Sequence, residues 1–180
     1  MSCTAASRER RGRLSEAHLA DNLTHVDFYD HVLAEIGRFG VAPGDLILEV
    51  TESRLMNDPR ASLDVLTRLR LKRISLSMDD FGTGHSSLSR LNQMLVTTLK
   101  IDRSFIADLP GDTSSAVLVA TIIQLAQNLG LHPLAEGIET EEQRRFLVDN
   151  GCMLGQGFLF SRPVPADRIV QLYQGFEDAA

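Results

Sequence analysis

Five short apolar runs, each ending in acidic or amide residues, recur along this chain at a steady spacing. They cover residues 46–52, 74–80, 99–102, 133–139 and 153–157. An apolar run of this length between turn residues is typical of a buried parallel strand, and helical periodicity fills most of the intervals between the runs. Parallel strands joined by helices share one direction, so their C-terminal ends emerge on one face. The pattern therefore predicts an α/β fold whose polar residues gather at one end of the sheet.

Apolar periodicity and turn residues also predict the helices. Thr140 and Gln143 have the spacing of a capping box, and Asp27 can cap the first helix. A complete eight-stranded barrel takes about 200 residues or more, whereas this chain has 180. We therefore predict an incomplete TIM-like (β/α) barrel that lacks about three N-terminal strands. The predicted helices cover residues 28–39, 57–69, 86–91, 115–129, 140–150 and 166–176.

Composition excludes several classes of protein. The net charge of −6 argues against binding to a nucleic acid polymer, and no apolar run approaches the ~18 residues of a membrane span. Residues 1–24 are predicted to be a polar, disordered tail, and residues 25–180 a single barrel domain. Cys3 and Cys152 have no metal-ligand spacing, so we expect two free thiols in a reducing, cytoplasmic compartment.

The predicted strand ends bring many carboxylates together with one lysine and one glutamine. Like charges so crowded repel each other, and bound divalent cations usually compensate them. The sequence therefore predicts a metal site at the C-terminal mouth of the barrel. Its candidate residues are Glu49, Glu52, Asp79, Asp80, Lys100, Asp102, Glu136, Glu139 and Gln156.

Each acidic candidate also has a structural interpretation. The adjacent Asp79 and Asp80 suit a pair of metal ions about 3.5–4 Å apart, or an Asx turn that opens the next loop. Glu52 and Glu139 can serve the site, or anchor a loop and cap a helix.

The remaining charged candidates are Lys100, Asp102 and Glu136. Lys100 and Asp102 alternate with Ile101, so both face the same side of the strand. The lysine can neutralise the carboxylates, orient a water or contact phosphate, or the two can belong to a structural ion pair across the mouth. Glu136 lies between small residues in tight, partly dry surroundings, which favour a carboxylate acting as a general base.

Five motifs in register resemble those of the EAL family of cyclic di-GMP phosphodiesterases. They are LEVTES at 48–53, DDFGTGHSSL at 79–88, LKID at 99–102, AEGIET at 135–140 and QGFLFS at 156–161. The resemblance covers about residues 25–175. It implies a bacterial signalling enzyme that opens one phosphodiester of cyclic di-GMP with water and Mg²⁺ or Mn²⁺, giving the linear dinucleotide pGpG.

The resemblance also implies roles for single residues. Glu49, Asp79 and Asp102 correspond to metal ligands, and Asp80 to a ligand of the second metal. Lys100 corresponds to the residue that orients the catalytic water, and Glu136 to a metal ligand or base. Glu52 is similar to the anchor of the loop that follows Asp80, and Gln156 to a group that completes the site.

The chain departs from the family at its N-terminal end. The Glu-Ala-Leu run, whose Glu is a metal ligand, is absent, and no Asn-Leu-Ser strand supplies the asparagine ligand. Ungapped counting places Ala17 at the asparagine position, and a short insertion places Arg13 there. We therefore expect either a truncated domain or one completed by another chain, with catalysis impaired.

These observations leave several hypotheses about function. The first is a cyclic di-GMP phosphodiesterase with weak metal binding. The alternative is a catalytically inactive module that binds cyclic di-GMP or a protein. A metal-dependent barrel enzyme acting on another small anion ranks last, because it requires the five motif matches to be coincidence. Open edges at the strand of residues 46–50 and at the closing strand predict a homodimer that buries the open side of the barrel.

Overall fold

A computed structural model describes residues 2–3, 5–6, 14–18, 27–51, 59–81, 95–165, 167–169 and 171. The strands are β1 (Ser2–Cys3), β2 (Ala5–Ala6), β3 (Leu14–His18), β4 (Leu46–Thr51), β5 (Ser75–Phe81), β6 (Thr98–Ile101), β7 (His132–Ala135) and β8 (Leu154–Gly155). The helices are α1 (Phe28–Phe39), α2 (Pro59–Leu71), α3 (Arg103–Ile106), α4 (Thr113–Asn128) and α5 (Glu141–Asp149), with a 3₁₀ turn at Pro43–Asp45.

The strands form one sheet in the order β1-β3-β4-β5-β6-β7-β8-β2. Strands β3 to β8 run parallel to their neighbours, while β1 and β2 are antiparallel to β3 and β8. The predicted α/β class is therefore confirmed, and the described residues form six strands in the parallel part rather than five.

Two expectations about the edges of the sheet need correction. Residues 2–3, 5–6 and 14–18 are strands, although they lie in the segment that the sequence predicts to be a disordered tail. The predicted open edges at β4 and β8 are wrong, because β4 pairs with β3 and β8 pairs with β2. Backbone hydrogen bonding, which is independent of side-chain polarity, explains how so polar a segment can pair there.

Alternation along the central strands separates an apolar face from a polar one. Leu48 and Val50 of β4 belong to the hydrophobic core, as do Leu76 and Met78 of β5. The residues between them, such as Glu49, have side chains on the opposite face, because successive strand residues alternate. The apolar face packs under the helices, where α4 contributes Val119, Ile122, Ile123 and Ala126.

Local sequence explains most of the helix ends. The side chain of Asp112 accepts a hydrogen bond from the amide of Ser115 and begins α4. Thr140 begins α5 through the predicted capping box, which is confirmed. The predicted side-chain cap by Asp27 is wrong, because Asp27 has helical backbone angles and makes no such bond. Gly40 ends α1 at a left-handed φ of 65°, which glycine adopts without steric cost.

The remaining predicted elements can be compared only in part. The helix at 86–91 lies outside the described residues, and only 167–169 and 171 of the closing helix are described, in helical conformation. In the described part of the chain, no helix is long and apolar enough to cross a bilayer.

Candidate functional site

One buried ammonium group contacts carboxylates from three other segments of the sheet. The Nζ atom of Lys100 on β6 lies 3.0 Å from Oε2 of Glu49 on β4. It lies 3.1 Å from Oδ1 of Asp79 on β5 and 2.7 Å from Oε1 of Glu136, which directly follows β7. The Lys100 side chain is 6% exposed, and the three acids are between 9% and 16% exposed. Four consecutive parallel strands therefore bring these residues together.

The alternation of the strands explains this convergence. Thr51 pairs with Asp79 and Lys100 pairs with Leu134, two residues before Glu136. Glu49, Asp79, Lys100 and Glu136 are therefore placed on the polar face, toward the C-terminal ends of their strands. The sequence prediction that these four residues share one end of the sheet agrees with this placement.

Electrostatics within the cluster are strongly coupled. Burial alone disfavours the charge of Lys100, but hydrogen bonds and Coulomb attraction to Glu136 and Glu49 outweigh it and raise the pKa of Lys100. Burial raises the pKa of Glu136, with added repulsion from Asp79 and Glu49, although Lys100 opposes the shift. Among the described side chains, three carboxylates face one ammonium group, so acidic groups outnumber basic ones in the cluster.

Gln156 extends the cluster to the loop after β8. Its Nε2 donates a hydrogen bond of 2.5 Å to Oε1 of Glu136. The backbone joins the same two loops, because the amide of Gln156 donates to the carbonyl of Ala135 and the amide of Ile138 donates to that of Gln156. Gln156 therefore holds the carboxylate of Glu136, the same oxygen that contacts Lys100.

Asp102 makes a contact that its predicted role does not require. It precedes α3, and its Oδ1 accepts a hydrogen bond of 2.9 Å from the amide of Ser104. The hydrogen bonds from Ser104 lower the pKa of Asp102. In the described part of the chain, the contact made by the Asp102 side chain is therefore a helix cap. Asp102 lies two residues after Lys100 in the sequence.

Three other candidates are placed differently or only in part. Asp80 lies in β5 next to Asp79, but its side chain is outside the described residues, as is the whole of Glu52. Glu139 has an exposed side chain, and its backbone amide donates to Oε1 of Gln143. The structure therefore unites Glu49, Asp79, Lys100, Glu136 and Gln156, with Asp102 adjacent in the chain.

Two contacts near the site were not predicted from the sequence. They are the hydrogen bonds from the Gln143 side chain to the end of α3 and the close approach of Gly137 to Arg103. The Nε2 of Gln143 donates to the carbonyls of Ile106 and Ala107. A Cβ atom on Gly137 would lie 2.5 Å from Cβ of Arg103. The capping-box motif could reveal Gln143 as a cap, but no local signal reveals its partners, which lie 36 and 37 residues away.

The strand before β4 occupies the position where the family resemblance led us to seek an asparagine. On β3, His18 pairs with Glu49, after an irregularity between Ser15 and His18. Ala17, one of the two predicted counterparts, lies in this strand, and Arg13, the other, lies outside the described residues. Within β3 the residue that pairs with Glu49 is therefore His18 and not Ala17.

The donor types in this cluster fit a hard divalent cation. Carboxylate oxygens and excess negative charge are what Mg²⁺ and Mn²⁺ select in proteins. As they stand, however, the carboxylates surround Lys100, and the described residues include no group of three or more His, Cys, Asp or Glu arranged to hold a metal ion. Glu49 and Asp79 are the described members of the cluster that would hold one, after adjustment around Lys100.

Comparison with known proteins identifies the family. The family model described as "EAL domain" matches residues 6–163. The chain is 44% identical over 146 residues to the bifunctional diguanylate cyclase/cyclic di-GMP phosphodiesterase MucR of Pseudomonas aeruginosa, across 81% of this chain and 21% of MucR. The chain belongs to the EAL domain family, whose curated members similar to it include proteins named as cyclic di-GMP phosphodiesterases.

Solved structures agree with this assignment. The EAL domain of Mycobacterium smegmatis DcpA superposes with a TM-score of 0.81 at 38% identity, covering 86% of this chain and 69% of that chain. A manganese and cyclic di-GMP complex of Klebsiella pneumoniae BlrP1 has a TM-score of 0.72 at 33% identity, covering 78% of this chain and 36% of that chain. The partial TIM-like barrel predicted from the sequence is therefore confirmed.

The chain is short compared with these relatives. It spans 21% of the length of two of the first curated relatives that it matches and 45% of the third.

Proposed function

We propose that this chain is a cyclic di-GMP phosphodiesterase domain that hydrolyses its substrate to linear pGpG, with catalysis impaired in the chain taken by itself. One observation carries this proposal: Glu49, Asp79 and Glu136 converge on Lys100 at the C-terminal ends of parallel strands. The relatives named as cyclic di-GMP phosphodiesterases support the choice of substrate.

The residues of the cluster would divide the chemistry among them. Glu49, Asp79 and Asp102, together with Asp80, would hold Mg²⁺ or Mn²⁺, as the manganese complex of BlrP1 supports. The bound ions would supply Lewis-acid activation of water and charge stabilisation on the phosphodiester oxygens. Asp80 would have to complete the geometry that the described carboxylates lack.

The protein's own groups would prepare the water and move its proton. Lys100 would orient the attacking water and balance charge as the phosphodiester approaches. Glu136 would accept the proton of the water as a general base, since its raised pKa lies in the direction that suits this role. Gln156 would hold the Glu136 carboxylate in position through its 2.5 Å hydrogen bond. Glu52 and Glu139 are proposed to support the neighbouring loops.

The experiment is incubation of the chain with cyclic di-GMP and Mg²⁺ or Mn²⁺, with linear product measured by chromatography. We expect slow formation of pGpG, its loss on chelation of the metal, and its loss in Glu136→Gln. Glu141→Gln is the matched control, because Glu141 pairs with Arg144 and Arg145 on the surface of α5 and should leave the rate unchanged. Product formation that persists in excess chelator would contradict the proposal.

The alternative is a catalytically inactive module that binds cyclic di-GMP or a protein. Two observations favour it: the described carboxylates surround Lys100 rather than a shared metal position, and Asp102 caps α3. Within the given residues, no Asn-Leu-Ser segment supplies the asparagine ligand that the resemblance implies. Calorimetry separates the two candidates, because saturable binding of cyclic di-GMP without product would favour the module. Low-micromolar or tighter Mg²⁺ or Mn²⁺ binding by the monomer would count against impaired catalysis.

Homodimer formation is a further proposal, tested separately. The dimer was predicted from open strand edges at β4 and β8, and both of these edges are covered. The strand edges therefore no longer support a dimer, and a measurement of the oligomeric state has to test it. Sedimentation at micromolar concentration that gives only a monomer would refute it. A cytoplasmic location also stays a prediction.

A further inference from the structure

A buried glutamine outside the cluster is hydrogen-bonded on both sides. Gln143 lies in the first turn of α5 and is 4% exposed. Its Oε1 accepts hydrogen bonds from the amides of Glu139, at 2.8 Å, and Thr140, at 3.0 Å. Its Nε2 donates to the carbonyls of Ile106, at 3.1 Å, and Ala107, at 3.3 Å.

These hydrogen bonds exceed the requirements of a helix cap. A capping box needs the side chain at this position only to accept from the N-cap amide. Here the other end of the same amide group satisfies carbonyls at the end of α3 (Arg103–Ile106), the short helix that begins directly after Asp102. Gln143 therefore links the helix behind Asp102 to the loop that follows Glu136.

A second contact joins the same two segments closer to the cluster. Gly137, directly after Glu136, has a φ of 70°, and a Cβ atom there would lie 2.5 Å from Cβ of Arg103. Arg103 directly follows Asp102. The loop of residues 136–140 is thus held against α3 at one end by backbone packing and at the other by Gln143.

We propose that Gln143 is a positioning residue that fixes Glu136 relative to Asp102. It acts through the loop of residues 136–140 and through α3, without touching the substrate or the reacting atoms. This inference rests on the proposed function at one point, which is the chemical roles of Asp102 and Glu136. A displacement of about 1 Å between such groups can cost about 100-fold in rate, so a link of this kind matters for turnover.

Two substitutions separate the two halves of this link. Gln143→Met removes both sets of hydrogen bonds at similar size. Gln143→Glu retains an acceptor for the amides of Glu139 and Thr140, but replaces the donor to the carbonyls of Ile106 and Ala107 with an oxygen. We expect amide hydrogen exchange at Thr140 to quicken about tenfold or more in Gln143→Met and to change little in Gln143→Glu.

Turnover should respond to both variants. We expect kcat for cyclic di-GMP to fall about 10- to 100-fold in each, with a smaller change in KM, because positioning affects the reacting geometry more than binding. Gln127→Met is the matched control, since Gln127 also donates a hydrogen bond to a carbonyl, that of Gly151 at 3.1 Å, but lies away from the cluster. It should retain the original kcat.

A loss of stability alone must be distinguished from a loss of positioning. Leu147→Ala removes a buried side chain of α5 that is 1% exposed and leaves the hydrogen bonds of Gln143 in place. It should lower the melting temperature at least as much as Gln143→Glu while leaving kcat unchanged at a temperature where both are folded. Wild-type kcat in Gln143→Glu, or an equal loss of kcat in Leu147→Ala, would overturn the proposal.

The test also separates this inference from the proposed function. If the unmodified chain gives no product and binds no Mn²⁺, the proposed function fails, and amide chemical shifts then decide the inference. Shifted Ser104 and Gly137 signals in Gln143→Glu, but not in Gln127→Met, would support the link, because these amides lie in the two joined segments. Unchanged Ser104 and Gly137 signals would overturn it.

Discussion

At the scale of single residues, the ammonium group of Lys100 balances charge that the surrounding fold would otherwise leave buried. It contacts Glu49, Asp79 and Glu136 at 2.7 to 3.1 Å, on a side chain that is 6% exposed. Removing one partner from such a cluster leaves the other charges without compensation, and this usually costs more than the net contribution of the intact cluster.

Lys100→Met should therefore destabilise the protein even though methionine fits an apolar interior. We expect a loss of about 3–5 kcal/mol in the free energy of unfolding at neutral pH, measured by urea denaturation. Lys72→Met is the matched control, because Lys72 is exposed in the turn after α2 and should change stability by less than about 0.5 kcal/mol. Equal effects of the two substitutions would show that the cluster contributes nothing to stability.

Cys152 gives a prediction about pH. It is 3% exposed, and burial raises the pKa of its thiol to about 11, against opposing backbone hydrogen bonds with Leu154 and Ala135. The unfolded chain releases this proton near 9.0, so between these values the unfolded state binds fewer protons than the folded state. Stability should therefore fall as pH rises from about 9 to about 11, and this contribution should be fully present below 9.

The measurement is urea denaturation of the Cys3→Ser variant across this pH range, with and without Cys152→Ala. The stability of the Cys152 protein relative to the Cys152→Ala protein should fall as pH rises across this range, by up to about 3 kcal/mol. At pH 8 the folded Cys3→Ser protein should react with iodoacetamide much more slowly than the same protein in urea. Rapid labelling of the folded protein would show that Cys152 is not buried.

At the scale of elements, the start of α5 offers a direct test of capping. The hydroxyl of Thr140 accepts a hydrogen bond from the amide of Gln143, at 3.2 Å. Thr140→Ala should lower the free energy of unfolding by about 1 kcal/mol, measured by thermal or urea denaturation. Thr121→Ala is the control: Thr121 lies on the exposed face of α4 and bonds the carbonyl of Val117 within the helix, so alanine should be neutral or stabilising there.

The elements also show how far sequence patterns reach. The five strands whose apolar runs end in polar residues are present as β4 to β8, because alternation and turn residues act over a few neighbours. Strand β3 was not predicted, since Leu14–His18 lacks an apolar run and is specified by its pairing with β4. Pairing of this kind depends on residues distant in the sequence, which local patterns do not contain.

The same limit applies within the cluster. The placement of Glu49, Asp79 and Glu136 near Lys100 follows from strand parity and shared direction, so it could be predicted. The capping contact of Asp102 with Ser104 was not predicted, because an acid after a strand looks the same in sequence whether it serves a site or a helix. The hydrogen bond from the Gln143 side chain to the carbonyl of Ile106 was not predicted either, because it depends on how α5 packs beside α3.

At the scale of the whole molecule, the apolar core lies between the sheet and its helices, apart from the polar cluster. Ile123 of α4 is fully buried there. Ile123→Ala should lower the free energy of unfolding by about 2–5 kcal/mol, measured by urea denaturation. Affinity for Mn²⁺ or cyclic di-GMP, measured by calorimetry on the folded variant, should stay within about twofold of the original. A large loss of affinity would show that the core and the cluster are coupled.

The alternation within each strand has a consequence for how such a chain can change over generations. Leu48 and Val50 are constrained by their packing in the core, while Glu49 between them is constrained by its ion pair with Lys100. Under the function proposed above, substitutions that abolish hydrolysis can therefore accumulate on one side of a strand while the other side continues to hold the domain together. A lineage that no longer needs the reaction would retain a folded domain that can still bind the ligand. Such a domain is available for recruitment as a sensor or an adaptor.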